Sequence, residues 1–300
     1  MGRKRLQNSC TEGNVLPTRR HRIFRGAWWS VNVLLLATFL AVIYSGGWEY
    51  SVRRYLDGFS DAIVPDSEPA ERQVEAILDW MRKGPPRTLA ADPSALDGRD
   101  PQTTLNYRQL LAVCGTATNA FLNLARSNGL SVRRLLLLSP ERTAKHVVAE
   151  VLIDGRWVVV DPAYRVLLRD AKGRQLTRQE LRNPTLFAEA TSAIPNYSSE
   201  YSYENVAHVR LARLPMRGFH LRWILDKVVP GWEESFDWTL LLERKSFFVL
   251  CVSAFAFFVF VLLRLLLGWY ADKRLNLPRF RLRSQALRAG STFFRVPEIK

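Results

Sequence analysis

Cysteine is scarce in this chain. It has three in 300 residues, at Cys10, Cys114 and Cys251. Three thiols this far apart exclude a disulfide framework of the kind that staples small secreted domains. No His/Cys cluster has metal-ligand spacing, and no glycine-rich phosphate loop is present. Neither a metal nor a cofactor is therefore expected. No internal repeat appears. Acidic residues are also short, 28 against 43 Lys and Arg, which leaves a net charge of +15. Such an excess first suggests nucleic acid, but its distribution argues against that partner. Residues 1–27 carry seven basic and one acidic residue, and residues 271–300 carry eight and two. The stretch 48–246 is nearly neutral, with 27 basic and 25 acidic residues. The excess sits in two tails.

Those tails flank two apolar runs. WWSVNVLLLATFLAVIYSGGW (Trp28–Trp48) has an uncharged centre and aromatic ends, and FFVLCVSAFAFFVFVLLRLLLGWY (Phe247–Tyr270) carries one charge, Arg264, near its end. Each has roughly the 20 residues that cross a bilayer. The basic clusters beside them follow the positive-inside pattern. The sequence thus predicts a two-pass integral membrane protein with basic cytoplasmic tails at 1–27 and 271–300. Transmembrane helices are expected at 28–47 and 247–270, and a periplasmic or extracellular region at 48–246. The alternatives are two buried core helices or, for the first run, a cleaved signal peptide; no A-x-A-like site follows it. The C-terminal tail mixes Arg with Leu and Phe, and reads either as lying on anionic lipid or as a solvated basic tail.

Cys114 is then the one thiol of the outer region. After a short polar approach, SEPAERQVEAILDWMRK (Ser67–Lys83) has helical periodicity, with Ser67 as a cap and GPP as a stop. Residues 87–104 are loop-like. In the next segment Cys114, Ala117, Phe121, Leu124 and Ala125 share a helical face that ends at Asn128-Gly129. Ser131–Leu138 reads as a strand. KHVVAEVLIDGRWVVVDPAY (Lys145–Tyr164) then supplies two β-rich arms around Asp154-Gly155, a strong hairpin signal. With a two-residue turn and no bulge, paired positions sum to 309. Asp161 then falls opposite Val148, and His146 lies two residues earlier on the same face, diagonal to Asp161.

A histidine oriented by a carboxylate is half of a nucleophilic apparatus. Cys114 is the candidate nucleophile, since a helix beginning at or just before it would favour the thiolate. Its backbone N–H is a candidate oxyanion donor, with Asn106, Tyr107 and Gln109 as candidates for a second. Each residue also has a plainer reading: a core cysteine, a structural strand histidine, a turn-forming aspartate before proline. The chain order of all three is what favours the chemical one.

AVCGTATNAFLNLARSNGLSVRRLLLL followed by KHVVAEVLIDGRWVVVDPAY resembles the core of the transglutaminase-like superfamily, in membrane-anchored, bacterial form. The helix ending AILDWMRK matches that family's lead helix. The resemblance covers about residues 67–165. It implies an α+β, papain-like fold in which a helix carrying the cysteine packs on an antiparallel sheet. It also implies a triad of Cys114 as nucleophile, His146 as base and Asp161 as orienting carboxylate. Members form an acyl-enzyme on an amide or ester and resolve it with water or an amine. The expected partners are the lipid bilayer and an extracytoplasmic peptide, protein or envelope polymer. The alternative is a non-catalytic module that binds a partner in the same cleft. Two positions depart from the pattern: Val147 and Val148 stand where many members have an aromatic after the histidine, and Val113 where many have glycine. The sequence leaves the substrate and the oligomeric state open.

Beyond the core, Thr177-x-x-Glu180 reads as a capping box. The Tyr-rich run IPNYSSEYSYENVAHVR (194–210) reads either as a surface near the site or as a packed loop. His208 and His220 have no triad-like context. Residues 218–245 suggest a stretch lying at the membrane surface.

Overall fold

The computed structural model describes residues 19–65, 68–84, 88–209, 221–232 and 238–275. Ser67, Pro85, His220, Cys10 and most of both tails, on which several expectations rest, lie outside those residues. The chain divides into two compact units, one of residues 1–41 with 253–300 and a larger one of residues 42–252.

The smaller unit holds parts of two long helices, α1 (Arg19–Asp61) and α9 (Lys245–Tyr270), the latter continued by a π-turn to Leu275. Both are long and apolar enough to cross a membrane. Almost none of their apolar stretches is buried within the protein, and Val33, Leu36, Phe255 and Leu265 are all at least 60% exposed.

The larger unit is α+β. Residues 48–61, expected as a short polar approach, are helical and complete α1. At about 1.5 Å per residue its 43 residues span roughly 65 Å. Val52 and Leu56 come inward at i,i+4 spacing and are fully buried. They join Val74, Ile77, Leu78 and Met81 of α2 (Ala70–Lys83) in the main core. α2 has no side-chain cap; Pro69 precedes it. The loop expected at 87–104 contains the start of α3 (Pro101–Asn106), where the Asp100 carboxylate caps the Thr103 N–H and Pro101 opens the first turn. A single turn, α4 (Arg108–Leu111), leads to α5 (Cys114–Ser127).

One sheet carries the rest, in the order β4-β3-β2-β1-β5. Its strands are β1 (Val132–Leu138), β2 (Ala144–Ile153), β3 (Arg156–Asp161), β4 (Val166–Leu167) and β5 (Val206–Ala207), and every pairing is antiparallel. β2 and β3 form the expected hairpin. Asp154 and Gly155 both have positive φ, 48° and 76°, as a two-residue hairpin turn requires. Five pairs run from Ile153–Arg156 to Ala149–Val160, all in the expected register. The pairing ends one position short of Val148–Asp161, and Asp161 pairs with Val166 of β4 instead.

Alternation divides the sheet residues between two layers. Ala149, Val151, Val158 and Val160 pack with α5 in the main core. Val148, Val159, Leu135 and Leu137 pack on the other side with Leu168, Leu176, Leu181 and Tyr203. That second layer includes a 3₁₀ turn (Glu180–Arg182) entered through the expected capping box: Glu180 Oε2 accepts from the Thr177 N–H at 2.8 Å, and the Glu180 N–H donates back to Thr177 Oγ1 at 3.3 Å. α6 (Pro184–Thr191) follows. α7 (Leu221–Val228) and α8 (Trp238–Glu243) precede α9.

Candidate active site

α5 begins at Cys114 itself, with Val113 as an extended N-cap. The thiol therefore stands where the first helical N–H groups have no intrahelical acceptor and the helix dipole is positive. Two bonds fix this helix start against the sheet. Thr118 Oγ1 donates to the Val147 carbonyl at 2.9 Å, and the buried Arg134 of β1 donates to the Gly115 carbonyl at 2.6 Å.

The three residues singled out in the sequence meet at the end of β2. His146 Nε2 and Asp161 Oδ2 are 2.7 Å apart, and both residues are buried. A carboxylate only accepts, so Nε2 carries the proton that it takes. Nδ1 is left for the side of Cys114, which lines the same cleft and interacts electrostatically with the ring.

His146 and Asp161 lie on one face of the sheet, as the hairpin register implies. By strand alternation they share the layer of Val148 and Val159, whereas α5 packs against the opposite layer. Cys114 packs instead with Val147, Leu136 and Ala207, and meets the imidazole where the β2 ladder ends. A bulge lies at that point: pairing with β1 steps from Leu137–His146 to Leu138–Ala144, so Lys145 is the extra residue.

The electrostatics follow from these contacts. The hydrogen bond from His146 lowers the Cys114 thiol; burial opposes it, and the His146 charge and the backbone N–H groups of Val147 and Gly115 reinforce it. Burial works against a charge on His146, yet the bonds to Asp161 and Cys114 and their negative charges raise it from 6.5 to about 9. Both shifts run toward the charged forms, thiolate for Cys114 and imidazolium for His146.

Asp161 is held on both oxygens. Oδ1 accepts from the N–H groups of Ala163 and Tyr164 at 3.1 and 3.3 Å, closing a turn after the strand. Oδ2 takes the Tyr197 hydroxyl at 3.0 Å as well as His146. Burial, together with Tyr203 and Asp161, raises the Tyr197 phenol far above its usual value, so that it stays a donor. Tyr201 stacks on His146, with ring centroids 4.3 Å apart and planes within 4°. A face-on phenol favours an imidazolium. Tyr164 and Tyr197 meet the same imidazole edge-on at 5.9 and 6.3 Å. The sequence leaves the Tyr-rich run as either a surface near the site or a packed loop; its stacking on the histidine was not legible, because no period links residue 201 to residue 146.

The three candidates for a second oxyanion donor are engaged elsewhere. Asn106 bonds Tyr55 and the Gln102 carbonyl, Gln109 bonds the Ala90 carbonyl, and Tyr107 bridges to Thr88. Among the described residues no group of His, Cys, Asp and Glu has the arrangement of a metal site.

Residues 57–162 match the family model of the transglutaminase-like superfamily, and Cys114, His146 and Asp161 all fall within that stretch. This part of the chain is a transglutaminase-like superfamily domain. No curated protein and no solved structure matches the chain.

Proposed function

We propose that the transglutaminase-like domain is a cysteine enzyme working through an acyl-enzyme, by amide hydrolysis or acyl transfer. The observation that carries this reading is the meeting of Cys114 and His146 in one cleft, with the thiol at a helix start and the imidazole bonded to Asp161 at 2.7 Å. The thiolate adds to an amide or ester carbonyl, and the carbonyl electrons move to oxygen. The Cys114 N–H, free of an intrahelical acceptor at the first position of α5, is placed to meet that oxyanion. The intermediate then reforms the carbonyl and breaks the carbon–nitrogen bond, while the imidazolium gives its proton to the departing amine. Water or a second amine next attacks the thioester, returning a proton to His146 and freeing the thiolate. Asp161 holds the ring in the required orientation throughout.

The domain is proposed to sit outside the cytoplasm, anchored by membrane spans at 28–47 and 247–270, with both basic tails inside. Its substrate would be an extracytoplasmic peptide, protein or envelope polymer. Two apolar helices that are hardly buried support the anchoring, since such surface is costly in water. The charge of the flanking tails supports the orientation. A phosphatase fused after Ser199 is expected to be active only if that point lies outside the cytoplasm.

The chemistry is tested with p-nitrophenyl acetate and the full chain in lipid nanodiscs. An acetyl group on Cys114, seen by mass spectrometry and lost in His146→Ala, is the expected result. A folded wild-type protein that never acquires it, or acquires it equally without His146, contradicts the enzyme reading and favours a binding module.

A further inference from the structure

The cleft at Cys114 has a volume of about 360 Å³, and its lining contains no Asp or Glu. Besides Cys114 and His146, the ionisable residues lining it are two cations, Arg99 and Lys145. Both are placed by specific backbone features. Lys145 is the extra residue of the β2 bulge, next to His146. Arg99 lies on a segment tied down on both sides. The Arg99 carbonyl accepts from the Lys245 N–H at 3.3 Å, and the Asp97 carboxylate takes both the Arg99 N–H, at 3.0 Å, and the Lys245 ammonium, at 2.8 Å. The Gly98 carbonyl accepts from the Asn119 side-chain amide at 3.1 Å, and Gly98 lies so close to α5 that a Cβ there would meet Thr116 Cγ2 at 2.9 Å.

The Arg99 guanidinium stands 5.3 Å from the centre of the Phe248 ring, and its Nε is buried with no hydrogen-bond partner among the described residues. The nearby carboxylates lie outside the cleft lining: Asp97 is bonded to Lys245, and Glu141, near Lys145, is exposed. A cleft with two cations, a helix start and no carboxylate in its lining favours a negative ligand.

We propose that the cleft selects an acyl donor with a carboxylate on the residue that supplies the reacting carbonyl, as in an aspartyl or glutamyl peptide, and that Arg99 and Lys145 hold that carboxylate. This rests on the acyl-enzyme reading of Cys114. The thiolate and the substrate carboxylate would repel each other in an apolar cleft; the two cations and the imidazolium offset that repulsion. Arg99 offers a fork of donors that fits a carboxylate, and Lys145 a mobile point charge at the rim.

The test uses two peptide chloromethyl ketones, Ala-Ala-Asp and Ala-Ala-Asn, on the full chain in nanodiscs. In each the thiolate forms a carbon–sulfur bond and chloride departs, so the rate of Cys114 alkylation is read by mass spectrometry. The account expects Asp over Asn by about tenfold at low salt, because charge-assisted bonds to a carboxylate outweigh those to an amide. The preference should shrink with added salt. Arg99→Gln and Lys145→Gln should each lower the Asp-to-Asn ratio. Lys145 is exposed, so its variant keeps the test sound if Arg99→Gln does not fold. Fast alkylation with no Asp preference overturns this proposal alone. Slow alkylation by both reagents, unchanged in His146→Ala, overturns the acyl-enzyme reading and this proposal with it.

Discussion

Two buried histidines, one on β2 and one just after β5, each lie near a carboxylate, and their surroundings push them in opposite directions. His146 faces Asp161 at 2.7 Å on one nitrogen and the Cys114 sulfur on the other. Both partners, once ionised, accept hydrogen bonds, so both ring nitrogens are called on to donate, and the imidazole is raised to about 9. His208 lies 3.7 Å from Glu150, but Nδ1 bonds the Arg134 carbonyl at 2.8 Å and Nε2 bonds an Arg178 nitrogen at 3.0 Å. A carbonyl only accepts and a guanidinium only donates, so this ring keeps one proton. Burial lowers it first; the Arg134 carbonyl and Glu150 resist, and Arg133 and Arg178 add to the lowering. Glu150 is meanwhile committed to Arg133 at 2.7 Å. A carboxylate within a few ångströms does not make a catalytic base. What faces each nitrogen decides it.

The comparison is broken most strongly by removing the carboxylates one at a time. Asp161→Ala should cut the acylation rate of Cys114 by about 10²–10⁴, in line with loss of a triad carboxylate. Rates from mass spectrometry check this. Glu150→Ala should instead cost about 3–5 kcal/mol of stability, because it leaves Arg133 facing a buried site without its partner. Denaturant unfolding reads that loss, and the pH profile of Cys114 labelling should not move. A shift of that profile would mean that the two clusters act as one.

Smaller effects come from the aromatic surround. Tyr201→Ala should lower the His146 pKa and slow labelling several-fold, since a stacked ring favours a cation by about 0.5–2 kcal/mol. Tyr197→Phe, which removes one bond to Asp161 Oδ2, should cost less, and NMR titration of His146 can rank the two. The smallest effect is on stability against pH. His146 binds its proton more tightly folded than unfolded. Its contribution is therefore complete below about 6.5 and is lost as pH rises through about 9. Unfolding free energies between those values should fall less steeply in His146→Ala.

Much of the site was legible because it depends on local rules. Asp154-Gly155 sets a turn, the turn sets a register, and the register puts His146 and Asp161 on one face. The chain order of the cysteine helix, the strand and the hairpin pointed to the family that the match over 57–162 shows. What was not legible depends on longer reach. The layer that His146 faces is fixed by which residues α5 covers, and no pattern within β2 states that. Residues 48–61 read as polar because the inward positions mix Val52 and Leu56 with Glu49 and Ser60, which blurs the apolar face. The helix at Pro101 did carry its signal, an Asp-Pro start, but it was hidden in a stretch rich in turn-forming residues. His208 acquired its carboxylate only through strand pairing of residues far apart in the chain.

The central claim is that Cys114 is a thiolate because His146 is an imidazolium. The rate of Cys114 alkylation by iodoacetamide against pH, in wild type and His146→Ala, tests it most directly. The account predicts that wild-type labelling persists well below the pH at which an ordinary thiol ionises, and that the profile of His146→Ala moves upward toward that of a free cysteine. Identical profiles in the two folded proteins would contradict it.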